Sequence, residues 1–206
     1  MKIDFNSYIA RKTDHFTGRD WVFQEINDWL SKNDATRNFL VTGDPGSGKS
    51  AIAARLAQFS LGTVSPSYTL QCINPGFLSA VHFCSVRDLR WINPHVFAES
   101  LALQLAARYP VFAKALAEKC GDRQIILEVE QEVQTVNGGQ VVGIIIQKLD
   151  ASAISPQDAF VRVVREPLET LISQGFNKKI VILVDSLDES LQYSGAGNMK
   201  IYVYTR

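Results

Sequence analysis

The chain has 206 residues, 46% of them hydrophobic, with 21 lysines and arginines against 21 aspartates and glutamates. That length and apolar content can bury one substantial core, most simply as one domain. The balanced charge supplies no global field for nucleic acid or for an anionic membrane, so neither is an expected partner.

Three cysteines, Cys72, Cys84 and Cys120, make an odd count without metal-like spacing, and read as reduced thiols of an intracellular protein. The N-terminal stretch lacks the long apolar core of a signal peptide. The longest apolar run, Val141 to Ile146 with Gly143 inside it, is too short to span a bilayer. A soluble protein of the cytoplasm or nucleus is expected.

Residues 1–15 are polar and mixed, and read as a weakly ordered lead-in. Phe16-Thr17-Gly18-Arg19 is a turn, and Asp20 caps a predicted helix from Trp21 to Leu30 with Val22, Ile26, Trp29 and Leu30 on its apolar face. After a polar loop, Phe39-Leu40-Val41 forms a short apolar run of the kind that makes a buried parallel strand.

Directly behind it stands Gly43-Asp44-Pro45-Gly46-Ser47-Gly48-Lys49-Ser50, a complete G-x-x-x-x-G-K-[ST] phosphate-loop pattern. Its glycines permit backbone conformations that turn successive N–H groups inward around phosphate oxygens. The helix that follows, with Ala51 in its first turn, adds its own N–H groups and the positive end of its dipole. Lys49 is expected to place a charge on the β- and γ-phosphates, and the Ser50 hydroxyl to hold Mg²⁺. Ile52, Leu56 and Phe59 fall on one face of that helix, with alanines on the crowded side.

Leu61 to Pro75 is a serine- and proline-bearing connection, and Ser79 to Ser85 a second buried strand. His82 inside that strand has neither a second histidine nor a carboxylate at metal spacing, and reads as a satisfied core histidine rather than a ligand. Asn93-Pro94 opens a helix running to Tyr109, and a shorter helix, Val111 to Cys120, stops at Gly121. From Gln124 to Leu149 the period changes to two, predicting an inserted β-hairpin around Asn137-Gly138-Gly139. Ser155-Pro156-Gln157-Asp158 starts another helix, which Pro167 should kink or split before Gly175 ends it.

Ile180 to Val184 then makes an apolar strand that ends in Asp185, the form of a Walker B element, whose carboxylate can fix Mg²⁺. Hydrolysis needs a carboxylate to orient or deprotonate water in line with the γ-phosphate. Asp188 is the first candidate for that role and Glu189 the second, the plainer reading being a helix-start charge pair.

In motif content and order, residues 16–189 resemble the NACHT-type STAND NTPases, a branch of the P-loop ATPases related to AAA+ proteins. FTGR (Phe16 to Arg19) is similar to that family's entry motif beside the nucleotide base, GDPGSGKS to its Walker A, and VDSLDE to its Walker B, with small Ser186 after the aspartate. AVHFC, NPHVFAESLALQLA and VREPLETL resemble its spacer stretches. The resemblance implies a three-layer α/β/α P-loop fold with a mainly parallel sheet, over residues 16–206, and ATP or GTP as ligand, ATP being preferred. It implies a slow conformational switch, with Lys49, Asp188, Glu189 and Arg206 as catalytic residues and Ser50 and Asp185 as metal ligands. Arg19 and residues Gly43 to Ala51 are then the nucleotide-binding set.

Tyr204-Thr205-Arg206 is similar to the family's sensor motif except at its first residue. Arg206 would reach the γ-phosphate there, or is merely a terminal arginine. The family's last sheet strand, lid and winged helix have no counterpart, so the domain is expected to be C-terminally incomplete. Phe39 to Val41 would then be an exposed sheet edge, open to self-association or to another chain. Alternatives are a non-catalytic nucleotide-held scaffold, for which water exclusion is incomplete without a lid, or a fragment of a larger repeat-containing protein, and, more remotely, a small-molecule kinase or a DNA motor.

Overall fold

The computed structural model describes residues 3–32, 37–120, 124–136 and 139–193. Local signals set most of its helices. Asn93 accepts hydrogen bonds from the His95 and Val96 backbone N–H groups, and Pro94 occupies the first turn, so α4 runs Pro94–Arg108. In the same way Ser155 accepts from Asp158 N and opens α6 (Pro156–Phe160). The architecture is mixed α/β with a small parallel sheet of two strands, β1 (Ala80–Phe83) and β4 (Ile182–Asp185). It is less than the expected three-layer α/β/α sheet.

The chain groups into two compact units. One holds residues Asp4–Val81 and Ile180–Asp185. In it α2 (Asp20–Ser31) and α3 (Lys49–Leu61) share one apolar cluster, and α1 (Asn6–Thr13) packs on α3. Val22, Phe23 and Ile26 of α2 meet Ile52, Leu56 and Phe59 of α3, and Leu70 and Ile73 close it from the following loop. Phe23 stands edge-on to Phe59, ring centroids 5.1 Å apart. Ser79 N and Ala80 N both donate to Val181 O, at 2.7 and 3.4 Å, which aligns the chain with β4.

Two expectations fail in this unit. The lead-in is not weakly ordered, because α1 buries Phe5, Tyr8 and Ile9 and packs on α3, with Gln58 Nε2 donating to Thr13 Oγ1 at 2.9 Å. The apolar run Phe39 to Val41 is in no ladder, and Leu40 is 83% exposed. A strand needs a paired neighbour as well as apolar side chains, and none is supplied to it among the described residues.

The other unit contains His82–Lys179 and, among the described residues, Ser186–Tyr193. Here α4 packs on α5 (Pro110–Lys119), with Leu101, Leu105, Phe112 and Leu116 fully buried. The expected hairpin is present as antiparallel β2 (Ile126–Val136) and β3 (Gly139–Asp150), with an irregularity between Glu128 and Val129. Asn137 and Gly138 of its expected turn, and Gly121 after α5, lie outside the described residues. Glu99 ties α4 to the end of β3 by accepting from Ala151 N at 2.9 Å, and burial raises its carboxyl pKa above the ordinary value. Helix α6 passes through a π-helical turn, Val161–Arg165, into α7 (Glu166–Ser173), which carries Pro167 in its first turn. The wide turn precedes Pro167, where a kink was expected. A 3-10 helix, Leu187–Gln192, follows β4.

His82 is a fully buried core residue, as expected. Its ring lies edge-on to Phe97, and its Nε2 sits 2.8 Å from Trp91 O, which makes Nε2 the protonated donor. Burial lowers its pKa below the ordinary 6.5, against a smaller upward pull from the Trp91 carbonyl. The unfolded chain therefore binds the proton first, and stability is lost as pH falls from about 6.5 toward the folded value. Glu99, with its raised pKa, acts oppositely, between its ordinary 4.5 and its raised value. Urea unfolding at pH 7.5, 6.5 and 5.5 is expected to show stability falling over the lower interval, by at most about 1.4 kcal/mol per pH unit for one group. In a Glu99→Gln background, which removes the opposing carboxyl, a flat profile would contradict the burial of a neutral imidazole.

Candidate phosphate-binding loop

The glycine-rich loop leads straight into α3, whose N-cap is Gly48. Gly46 and Gly48 hold φ of +82° and +89°, a left-handed backbone that side chains resist. A Cβ at Gly48 would also come within 3.3 Å of the Arg19 guanidinium, so that cation lies directly against the loop. Ser47 N donates to Asp44 O at 3.1 Å, which closes the turn, while Ala51 N and Ile52 N bond back to Gly48 O. Asp44, Pro45 and Gly46 are exposed, and Ser47 to Ser50 half-buried.

Lys49 Nζ folds back over the loop and donates to Gly43 O at 2.7 Å and Asp44 O at 3.1 Å. An ammonium resting on carbonyl oxygens can exchange them for phosphate oxygens without moving its helix. Strand β4 packs against α3 in the same unit, so Asp185 and the Lys49–Ser50 turn are built on neighbouring elements. Asp185 is 7% exposed and accepts from the Tyr8 hydroxyl at 3.4 Å. Ser186 follows it at φ +56°, a left-handed turn that a small polar residue tolerates better than a branched one.

Among the described residues no group of three or more His, Cys, Asp or Glu could hold a metal by itself. The oxygen donors that the motifs assign are the Ser50 hydroxyl in the first turn of α3 and the Asp185 carboxylate at the end of β4. Two hard oxygens fit Mg²⁺, which completes its shell with water and phosphate and does not need an all-protein cage.

Asp188 and Glu189 belong to the other unit. Asp188 is exposed, whereas Glu189 Oε2 accepts from Val86 N at 2.8 Å and is tied to the segment after β1. Arg206 lies outside the described residues.

The sequence reading missed two features near the loop. One is Tyr8, hidden in what reads as a polar leader. The other is a pocket of about 320 Å³ between Phe16–Gly18 and residues 64–68, floored by Arg55 and Phe59 of α3. The Arg55 guanidinium stacks 4.8 Å from the Phe16 ring centre, and its buried Nε has no hydrogen-bond partner. Burial lowers the Arg55 pKa, though it stays a cation in any ordinary buffer.

Fold and loop together define a mixed α/β protein built around a glycine-rich turn that caps a helix. Residues 18–137, more than half the chain, match the family model described as Nephrocystin 3, N-terminal, and the chain belongs to that family. The matched segment takes in the loop and α3 to α5 and ends inside the hairpin. No curated protein and no solved structure matches the chain. The NACHT-type assignment expected from the motifs is finer than this family match. Among the described residues no helix is long and apolar enough to cross a membrane.

Proposed function

We propose that this protein binds Mg-ATP, with GTP the lesser option, and hydrolyses it slowly as a conformational switch of the NACHT/STAND type. On this reading residues 16–206 are the nucleotide-binding region of a P-loop α/β/α fold. The observation that carries the proposal is Lys49, bonded to the Gly43 and Asp44 carbonyls across a loop that opens α3. That arrangement offers backbone N–H groups, a helix dipole and one mobile cation to a phosphate chain. Arg19, against Gly48, adds a second positive charge.

Bound Mg²⁺ would neutralise phosphate charge, held by Ser50 and Asp185. Asp188 is the residue we assign to orient the attacking water. Glu189 ranks second because its carboxylate already accepts from Val86 N. Arg206 is retained as a γ-phosphate contact on the strength of the motif alone. The exposed Phe39–Leu40 segment is the surface we assign to self-association or to another protein chain. Neither a membrane nor nucleic acid is assigned as a partner, and the compartment proposed is the cytoplasm.

The test uses the whole chain with ATP, measuring equilibrium binding and phosphate release. Asp188→Asn is expected to keep binding within a factor of about two and to lower release by about 10² or more, the usual scale for a lost general base. Release unchanged by this substitution removes Asp188 from the mechanism. Tight binding by the wild type with no release above background selects instead the non-catalytic scaffold, a reading that the engagement of Glu189 favours.

A further inference from the structure

The N-terminal helix α1 lies outside the residues that match the family model, yet it reaches the strand end that carries Asp185. Tyr8 is 6% exposed and Asp185 7%, and the phenol hydroxyl donates to Asp185 Oδ2 at 3.4 Å. The same helix grips α3, the helix that begins with Lys49 and Ser50. Thr13 Oγ1 accepts from Gln58 Nε2 at 2.9 Å and donates to Ile9 O at 2.8 Å, while Ile9 is buried at 5% exposure. Lys12 Nζ and the Arg11 guanidinium lie 5.3 and 5.6 Å from the centre of the Tyr8 ring, which bears on the ring's position from the solvent side of the helix. One short helix therefore contacts both elements that carry the proposed Mg²⁺ ligands.

We propose that Tyr8 is a positioning residue for Asp185, setting the orientation in which its carboxylate meets the cation of a bound Mg-nucleotide. The inference rests on the phosphate-loop reading above and adds to it a residue outside every motif. The physical reason is general. A carboxylate at the end of a strand can rotate about its terminal bond, and an outer hydrogen bond to one oxygen fixes that rotation before the metal arrives. Loss of such a partner costs metal affinity although no ligand is removed.

Tyr8→Phe removes the hydroxyl and keeps the ring, so the buried packing survives. Binding of a fluorescent ATP analogue to the full chain is measured with Mg²⁺ and with EDTA, for the wild type, Tyr8→Phe and Ile9→Ala. For Tyr8→Phe the affinity gained from Mg²⁺ is expected to shrink about tenfold, at the lower end of outer-ligand effects, while the EDTA value stays put. Ile9→Ala, which loosens α1 without touching Asp185, is expected to lower the thermal midpoint and leave the Mg²⁺ gain as in the wild type. An unchanged Mg²⁺ gain in Tyr8→Phe overturns the inference and leaves the phosphate-loop reading standing. So does an equal loss in Ile9→Ala, which assigns the effect to helix docking rather than to the hydroxyl. A wild type that binds no nucleotide overturns both.

Discussion

Replacing Lys49 with alanine is expected to weaken ATP binding by about tenfold to a hundredfold, the worth of a charge-assisted hydrogen bond of about 1.5–3 kcal/mol. The lysine is half-buried and its partners are two backbone carbonyls of an exposed loop. Those carbonyls can turn to water when the ammonium is removed, so the fold should lose no more than about 0.5 kcal/mol, as for other surface changes. The experiment is a pair of equilibrium measurements, ATP binding by titration calorimetry and urea unfolding. Weakened binding with an unmoved unfolding midpoint supports the loop as a phosphate cradle. Binding that survives unchanged shows that the loop is only a turn at a helix start.

The largest stability effect is expected at Phe23. This ring is 3% exposed, packs edge-on to Phe59 and lies 5.9 Å from Phe16. Phe23→Ala removes the centre of the cluster shared by α2 and α3 and should cost about 3–5 kcal/mol. Trp21, two residues earlier on α2, is 69% exposed, and Trp21→Ala should stay within about 0.5 kcal/mol. Urea unfolding of both variants, followed by circular dichroism, separates burial from aromatic character. Similar losses at the two positions would contradict the orientation of α2. Because α3 carries the loop, Phe23→Ala should also weaken ATP binding in proportion to the fraction unfolded.

Elements written in local chemistry were legible. Asn93-Pro94 announced α4 at the residue where it starts, because a side-chain cap and a proline without N–H both belong in a first turn. The Gly48-Lys49 boundary was equally clear, since only a glycine-rich turn suits the left-handed backbone found there. Alternating residues from Gln124 to Leu149 gave the hairpin. What failed depended on distant parts of the chain. Phe39 to Val41 has the composition of a strand, but pairing comes from a neighbour that its own residues cannot specify. Helix α1 begins behind Phe5, whose side chain cannot cap it, and is held by its contacts with α3. Glu189 meets Val86 across 103 positions, and Tyr8 meets Asp185 across 177. No spacing rule connects such pairs, which is why the candidate loop was readable and its support was not.

The π-helical turn at Val161–Arg165 has a geometric consequence for the segment behind it. Each residue of a regular helix turns the chain by about 100°, and a π turn absorbs one surplus residue without breaking the rod. Val163 and Val164 within the turn, and Pro167 and Leu171 after it, are all buried. At about 100° per residue these four fall in one sector of a regular helix, so they make a single apolar stripe. The wide turn instead lies where the Pro167 ring would crowd the Val163 carbonyl of a regular helix, and gives that ring room while the stripe continues.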